Sequence, residues 1–204
     1  TSHHLDLKKK ENITDDYFGI NPEGLVPTLV HDGVVHVESN DIIDYLDETY
    51  PEPTLRGKNN AEMAEWLDLA TSIHVPAVKP YVYTTIIAPK VKKTAEEEKK
   101  YSELQKNAEL KEFHSKHAGD SKFGGDDFEK AKAKLHECFS KLDTTLEDRT
   151  WMMGEEMTLA DISWIPLHFV LIGCGYPFDE YPNIVRWAKQ FEGRPSFQEG
   201  IIKW

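Results

Sequence analysis

Residues 21–51 read NPEGLVPTLVHDGVVHVESNDIIDYLDETYP. The stretch opens on turn chemistry at Asn21-Pro22-Glu23-Gly24, residue types that fix or free the backbone where a chain reverses. A short apolar run over residues 25–30 follows, with Pro27 inside it. His31-Asp32-Gly33 reads as a tight hairpin connection, and residues 34–37 read as the return strand. Glu38-Ser39 sits where a helix begins. Ile42, Ile43 and Leu46 mark that helix's buried face at helical spacing, and Pro51 ends it.

Two features of this stretch carry chemistry. A proline in a strand-like run removes a ladder donor. A cis Val26–Pro27 bond would turn the Val26 N–H and C=O away from the sheet, where an extended peptide can pair with them. The second feature is Glu38-Ser39 at a helix start. A serine hydroxyl and the first unpaired N–H groups of a helix hold a carboxylate, helped by the helix dipole. A peptide-like ligand ending in a carboxylate suits both. The competing reading is a buried hairpin and helix with a capping serine.

Val26-Pro27, Glu38-Ser39, Ile42-Ile43-Asp44-Tyr45-Leu46 and Tyr50-Pro51, in register, resemble the glutathione-binding half of a cytosolic glutathione transferase. Further matches lie near the C-terminus. Thr158-Leu159-Ala160-Asp161 is a capping box in the broader sense, and Thr-Leu-Ala-Asp-Ile is similar to the folding signature of the helical domain of that family. Tyr181-Pro182-Asn183-Ile184, a helix with Trp187, and Arg194-Pro195-Ser196-Phe197 resemble its usual ending. The fold this implies is α/β plus all-α. A thioredoxin-like domain lacking its first strand and helix (residues 1–50) and a linker (51–60) precede an all-helical domain (61–204) with a Lys/Glu-rich insertion near 90–127.

The rest of the chain fits around these motifs. Residues 1–7 alternate weakly and read as a strand, and residues 12–19 as a short irregular helix burying Tyr17 and Phe18. Residues 61–88 carry Met63, Trp66, Leu67, Ala70 and Ile73 at helical spacing, interrupted by Pro76 and Pro80. Residues 90–116 are dominated by Lys and Glu and read as a solvated helix. Residues 127–146 bury Phe128, Ala131, Leu135, Cys138, Phe139, Leu142 and Leu146, and residues 159–171 are apolar almost all round, as a central helix is. Trp164 and His168 on that helix read as core.

The resemblance assigns roles. Glutathione would pair with the Val26 backbone, Pro27 would set that geometry in cis, Glu38 would take the γ-glutamyl ammonium and Ser39 its carboxylate. Asn12 matches the place where many members offer a polar side chain to the glycyl carboxylate. Leu25 and Asn40 depart from the common pattern. Tyr81, Tyr83 and His74 fall where the second substrate, a small hydrophobic electrophile, is held. The residue that activates the thiol belongs to the segment that normally precedes this stretch, so the sequence reads as part of a longer chain and the catalytic group is unknown. The implied activity is transfer of the glutathione thiolate to a small, aromatic electrophile by a cytoplasmic homodimer. Two alternatives stay open: a glutathione-dependent thiol reductase, dehalogenase or etherase, and a non-catalytic transferase-like module.

Composition narrows the rest. A formal net charge of −12 repels phosphate and argues against a nucleic-acid partner. No run of about 18 apolar residues is present, so no membrane span is expected. Cys138 and Cys174 form no CxxC pair and read as reduced thiols. The nine histidines show no metal-ligand spacing, His114 and His117 being the nearest pair on one helix face, so no metal is expected.

Overall fold

A computed structural model of the chain describes residues 1–87, 94–116 and 125–203. Turns of 3-10 helix at Leu7–Lys9 and Glu11–Ile13 lead into α1 (Asp15–Ile20). Strands β1 (Leu29–His31) and β2 (Val34–His36) are followed by α2 (Ser39–Thr49). Next come α3 (Asn60–Ser72), a π turn at His74–Val78, α4 (Lys79–Val82) and a second π turn at Tyr83–Ile87. The remaining helices are α5 (Ala95–Leu104), α6 (Ala108–Lys116), α7 (Gly125–Thr145), α8 (Leu159–Gly173), α9 (Pro182–Glu192) and α10 (Pro195–Phe197). The chain divides into two compact units, residues 1–46 with 91–122, and residues 47–90 with 123–204.

The first unit is built on the hairpin. Asp32 and Gly33 both have positive φ, 49° and 80°. That backbone twist matches a two-residue connection between right-twisted strands. The register is antiparallel, with Leu29 facing His36, Val30 facing Val35 and His31 facing Val34. Tyr45 ties α2 to the hairpin: its hydroxyl lies 2.7 Å from His31 Nδ1, and its ring stacks on His36 at 3.9 Å.

Three expectations for this unit need correcting. Residues 1–7 form no strand, because local groups capture the backbone first. Asp6 N–H donates to Glu11 Oε2 at 2.7 Å, and the Asp6 carbonyl accepts from Lys9 and Glu11. The apolar run 25–30 is strand only from Leu29, because Pro27 has no N–H and the Leu25 carbonyl is taken by side chains. Leu46 is 37% exposed, while Asp47, one position on, is buried. The Asp47 carboxylate earns that burial with partners, accepting from Leu55 N–H at 2.6 Å and pairing with Arg56 Nε at 3.3 Å.

The Lys/Glu-rich stretch also behaves differently from a fully solvated helix. Contacts group α5 and α6 with the first unit, where Tyr101, Gln105 and Leu110 are buried. Residues 88–93, His117 and 118–124, which the sequence reading placed in the insertion and its loop, lie outside the described residues.

In the second unit, α3 buries Met63, Trp66 and Ala70 at helical spacing against α8. Trp164 Nε1 donates to the Trp66 carbonyl at 2.9 Å, and the two rings meet edge-on. Pro76 and Pro80 interrupt the following stretch. With no N–H at Pro76, Val78 reaches back five residues to the Ile73 carbonyl at 3.1 Å, and the helix widens to a π turn. Helix α7 buries Ala131, Leu135, Phe139 and Leu142. Its Asp143 caps α9, accepting from Asn183 and Ile184 N–H at 2.8 and 3.0 Å.

Helix α8 buries Trp164, Leu167, His168 and Leu171, but Phe169, Val170 and Ile172 remain exposed on its outer side. Cys138 is buried and Cys174 half-buried, and both are free thiols. Among the described residues no helix is long and apolar enough to cross a membrane.

Candidate functional site

The hairpin register organises the site. Paired residues in β1 and β2 have numbers that sum to a constant. Continuing that register past Leu29 and His36 assigns Pro27 to Glu38 and Val26 to Ser39. These residues do not form a ladder, but they sit at the same open end of one hairpin. The Val26–Pro27 bond is cis, and Val26 is 43% exposed. Among the described residues nothing pairs with the Val26 N–H or C=O.

The loop before Val26 is held by side chains. Gln105 Nε2 donates to the Glu23 carbonyl at 2.6 Å. Asn12 Nδ2 donates to the Gly24 carbonyl at 2.7 Å. The Tyr17 hydroxyl donates to the Leu25 carbonyl at 2.6 Å, and Asn21 Nδ2 donates to the same oxygen at 2.9 Å. Three consecutive carbonyls are thus fixed from outside the loop. Asn21 is itself buried, and its Oδ1 accepts the Glu23 N–H at 3.0 Å, an Asx turn.

Gly24 is required here. Its φ is +62°, and a Cβ would lie 2.9 Å from the Phe18 ring and 3.1 Å from the Asn12 carbonyl.

The other side of the open end is the start of α2. Glu38 has φ of 62°, a left-handed backbone that costs a non-glycine residue about 1–2 kcal/mol. Such positions cluster at ligand sites, where the surroundings hold them. Glu38 and Ser39 are both exposed. The Glu38 carbonyl accepts the Ile42 N–H at 2.9 Å, so the backbone ladder of α2 begins at Glu38, and the positive end of the helix dipole lies at this start.

The remaining sequence-predicted residues belong to the second unit. Tyr81 is buried, stacked on Phe128 at 5.2 Å and edge-on to Tyr176 at 5.5 Å. Burial pushes its phenol above the ordinary value, with a smaller contribution from Cys174. Tyr83 is half-buried and opens the second π turn, and His74 opens the first and is exposed. Tyr81 is therefore packed into an aromatic cluster rather than presented to solvent. Among the described residues no cluster of three or more His, Cys, Asp or Glu side chains is placed to hold a metal.

Sequence reasoning missed the residues that shape the site without touching a ligand. Tyr17 was expected to be core, yet its hydroxyl works on Leu25. Asn21 was seen as a turn former, and its asparagine-proline-glutamate-glycine context was the available signal. Gln105 had no local signal at all, because its partner is 82 positions away.

Comparison with known proteins fits this arrangement. The family model described as "Glutathione S-transferase, C-terminal domain" matches residues 67–195, and "Glutathione S-transferase, N-terminal domain" matches residues 3–54. The chain belongs to the glutathione S-transferase family. Among curated relatives, Protein LigF of Sphingobium sp. strain SYK-6 is 27% identical over 98% of this chain and 82% of its own length. Glutathione S-transferase GstB of Escherichia coli K12 is 27% identical over 92% of this chain and 78% of its own. Solved structures with the same fold include β-etherase LigF from Sphingobium sp. strain SYK-6, with a TM-score of 0.73 at 24% identity, covering 98% of this chain and 87% of that one. A glutathione S-transferase from Rhodospirillum rubrum F11 follows at a TM-score of 0.66 and 23% identity, covering 91% and 74%. The architecture is accordingly that of the family, a thioredoxin-like half followed by a helical half.

Proposed function

We propose that this glutathione S-transferase family member binds glutathione at the open end of the hairpin and directs its thiolate to a small hydrophobic electrophile. The observation that carries the proposal is the Val26 backbone, exposed and unpaired among the described residues, in the segment leading into β1, while Ser39 opens α2 just after β2, the strand paired with β1. An extended cysteinyl residue makes a β-type pair with Val26 beside Pro27. The γ-glutamyl carboxylate docks on the Ser39 hydroxyl and the first N–H groups of α2, and Glu38 takes the ammonium. Asn12 keeps a second amide hydrogen for the glycyl carboxylate while the first holds Gly24.

In conjugation, the thiolate sulfur forms a bond to the electrophilic carbon and the leaving group departs with its electron pair. The residue that holds the thiolate is not assigned. Tyr83 and His74, both in the second unit, are the proposed contacts for the second substrate. A homodimer in the cytoplasm is the assembly and location proposed with this activity.

The similarity to LigF, whose solved structure is titled a β-etherase, favours one second reading, glutathione-dependent cleavage of an ether. The test is calorimetric titration with reduced glutathione, followed by product analysis with an aryl halide and an aryl ether. Saturable binding that Ser39→Ala weakens roughly tenfold, the worth of one charge-assisted hydrogen bond, supports the site. A glutathione conjugate formed from the aryl halide with release of halide identifies transfer, a conjugate formed from the aryl ether with release of a phenol identifies ether cleavage, and glutathione disulfide identifies reduction. Absence of saturable binding refutes the site and leaves a non-catalytic module.

A further inference from the structure

A helix made of Lys and Glu has little reason to pack against anything. Yet the α5–α6 segment buries Tyr101, Leu110 and Gln105, the last with no exposed surface. Gln105 lies just past the end of α5, and its whole amide is in use. Nε2 donates to the Glu23 carbonyl at 2.6 Å and to the Tyr101 hydroxyl at 3.2 Å, and Oε1 accepts the Asn107 N–H at 2.8 Å. Two ion pairs fasten the same helix to the start of the chain: Lys10, between the N-terminal turns, with Glu97, and Asp15 of α1 with Lys100 at 3.4 Å.

Glu23 is the first of the three residues whose carbonyls are held from outside, and Val26 follows them directly. Asn12, Tyr17 and Asn21 supply the other holds from the start of the chain. Gln105 alone comes from the charged segment, so that segment closes the set. A loop already fixed in its binding geometry loses little freedom when a ligand arrives, and its affinity rises accordingly.

We propose that Gln105 is a positioning residue, through which the α5–α6 segment sets the Val26 loop and with it the affinity for glutathione. The inference rests on the proposed glutathione site. Gln105 touches no ligand in this arrangement. It acts through Glu23, holding the turn so that the Val26 N–H and C=O stay aimed outward.

The test uses the full chain and reduced glutathione. Gln105→Leu keeps bulk but removes the donor. It is expected to raise the glutathione Kd roughly tenfold, the scale of one lost hydrogen bond to a buried carbonyl. It should also speed amide hydrogen exchange at Glu23 and Gly24, whose N–H groups are bonded to Asn21 within the same turn. Gln105→Glu turns a carboxylate toward the Glu23 carbonyl. Its glutathione affinity is expected to fall at neutral pH and recover as the pH is lowered and the acid regains a donor hydrogen, a behaviour wild type lacks. Should Gln105→Leu fail to fold, the Lys10–Glu97 pair carries the same test: K10E weakens glutathione binding and K10E/E97K restores it. A Kd unchanged in Gln105→Leu, or a weaker Kd with unchanged exchange at Glu23 and Gly24, overturns the inference while leaving the glutathione site intact. No binding by wild type overturns the site itself, and the inference with it.

Discussion

Replacing Asp161 with alanine should nearly unfold the second unit. The carboxylate lies wholly inside the protein at the first turn of α8, and four donors converge on it. Oδ1 accepts from Met152 N–H at 2.9 Å and Trp187 Nε1 at 2.8 Å. Oδ2 accepts from Thr158 N–H at 2.8 Å and the Thr158 hydroxyl at 3.0 Å. Burial pushes the carboxyl up, and the four donors pull it back down. In D161A the hydroxyl can rotate elsewhere, but three N–H groups are left buried. At about 1–3 kcal/mol for each orphaned donor, with some relief from relaxation, the loss is about 4–5 kcal/mol. That is a large part of the 5–15 kcal/mol typical of a folded domain (roughly). D161N keeps the Oδ1 acceptor and turns an NH2 toward the Thr158 N–H, so about half that loss is expected.

The assay is urea unfolding followed by tryptophan emission. No tryptophan occurs before Trp66 or within residues 91–122, so the signal reports the second unit. With a slope of about 2 kcal/mol per molar urea, the midpoint should fall by roughly 2 M in D161A and roughly 1 M in D161N. A double-mutant cycle sharpens the test. W187F removes one of the three donors that D161A orphans, so D161A/W187F should be less destabilised than the sum of the single variants. A D161A midpoint within about 0.5 M of wild type, or strict additivity with W187F, refutes the assignment of α8's start as the anchor of this unit.

Two further outcomes are expected. His168 is buried against Phe178, and burial lowers its imidazole from 6.5 to about 4. The unfolded chain therefore takes up that proton first, and the stability it represents is complete above pH 6.5 and lost as the pH falls toward 4. At about pH 5 the loss is roughly 2 kcal/mol at 1.36 kcal/mol per unit. H168L should flatten that part of the stability profile measured by urea unfolding across pH; an unchanged slope contradicts the burial argument. Asp161 works in the opposite sense, so the comparison is between variants rather than along one curve. Gly24→Ala places a Cβ against the Phe18 ring at a left-handed backbone, which should shift the Val26 loop and raise the glutathione Kd at least roughly tenfold (about 1.4 kcal/mol). Calorimetric titration checks it, and a wild-type Kd would show that the loop tolerates the change.

How much of this could be read from the chain divides along sequence distance. The hairpin turn, α2 and the buried faces of α3 and α7 were legible because each is set by residues within one or two turns of each other. Val26, Pro27, Glu38 and Ser39 stood out for the same reason. What failed did so where a polar group found an unexpected partner. Residues 1–7 alternate like a strand, but Asp6 and Glu11 close a turn before any ladder forms. Leu46 continued an apolar stripe, but Asp47 is the residue drawn inside, by Leu55 N–H and Arg56. A hydrophobic period cannot announce such exchanges, since it counts apolar side chains and not hydrogen-bond partners.

Asn12 shows why a motif match needs this geometry beside it. Matched by position alone, it is a ligand contact. In the folded chain its amide first does a backbone job, holding the Gly24 carbonyl at 2.7 Å. The same holds for Tyr17, whose hydroxyl is engaged by Leu25 and Thr28. The Val26 loop has no ladder to fix it, because Pro27 cannot donate and β1 begins only at Leu29. Side-chain donors take over that task. They use the carbonyls of residues 23–25 and leave the Val26 main chain open among the described residues. The polar residues around the loop thus answer first to the backbone, and the exposed peptide unit they leave over is what a ligand can use.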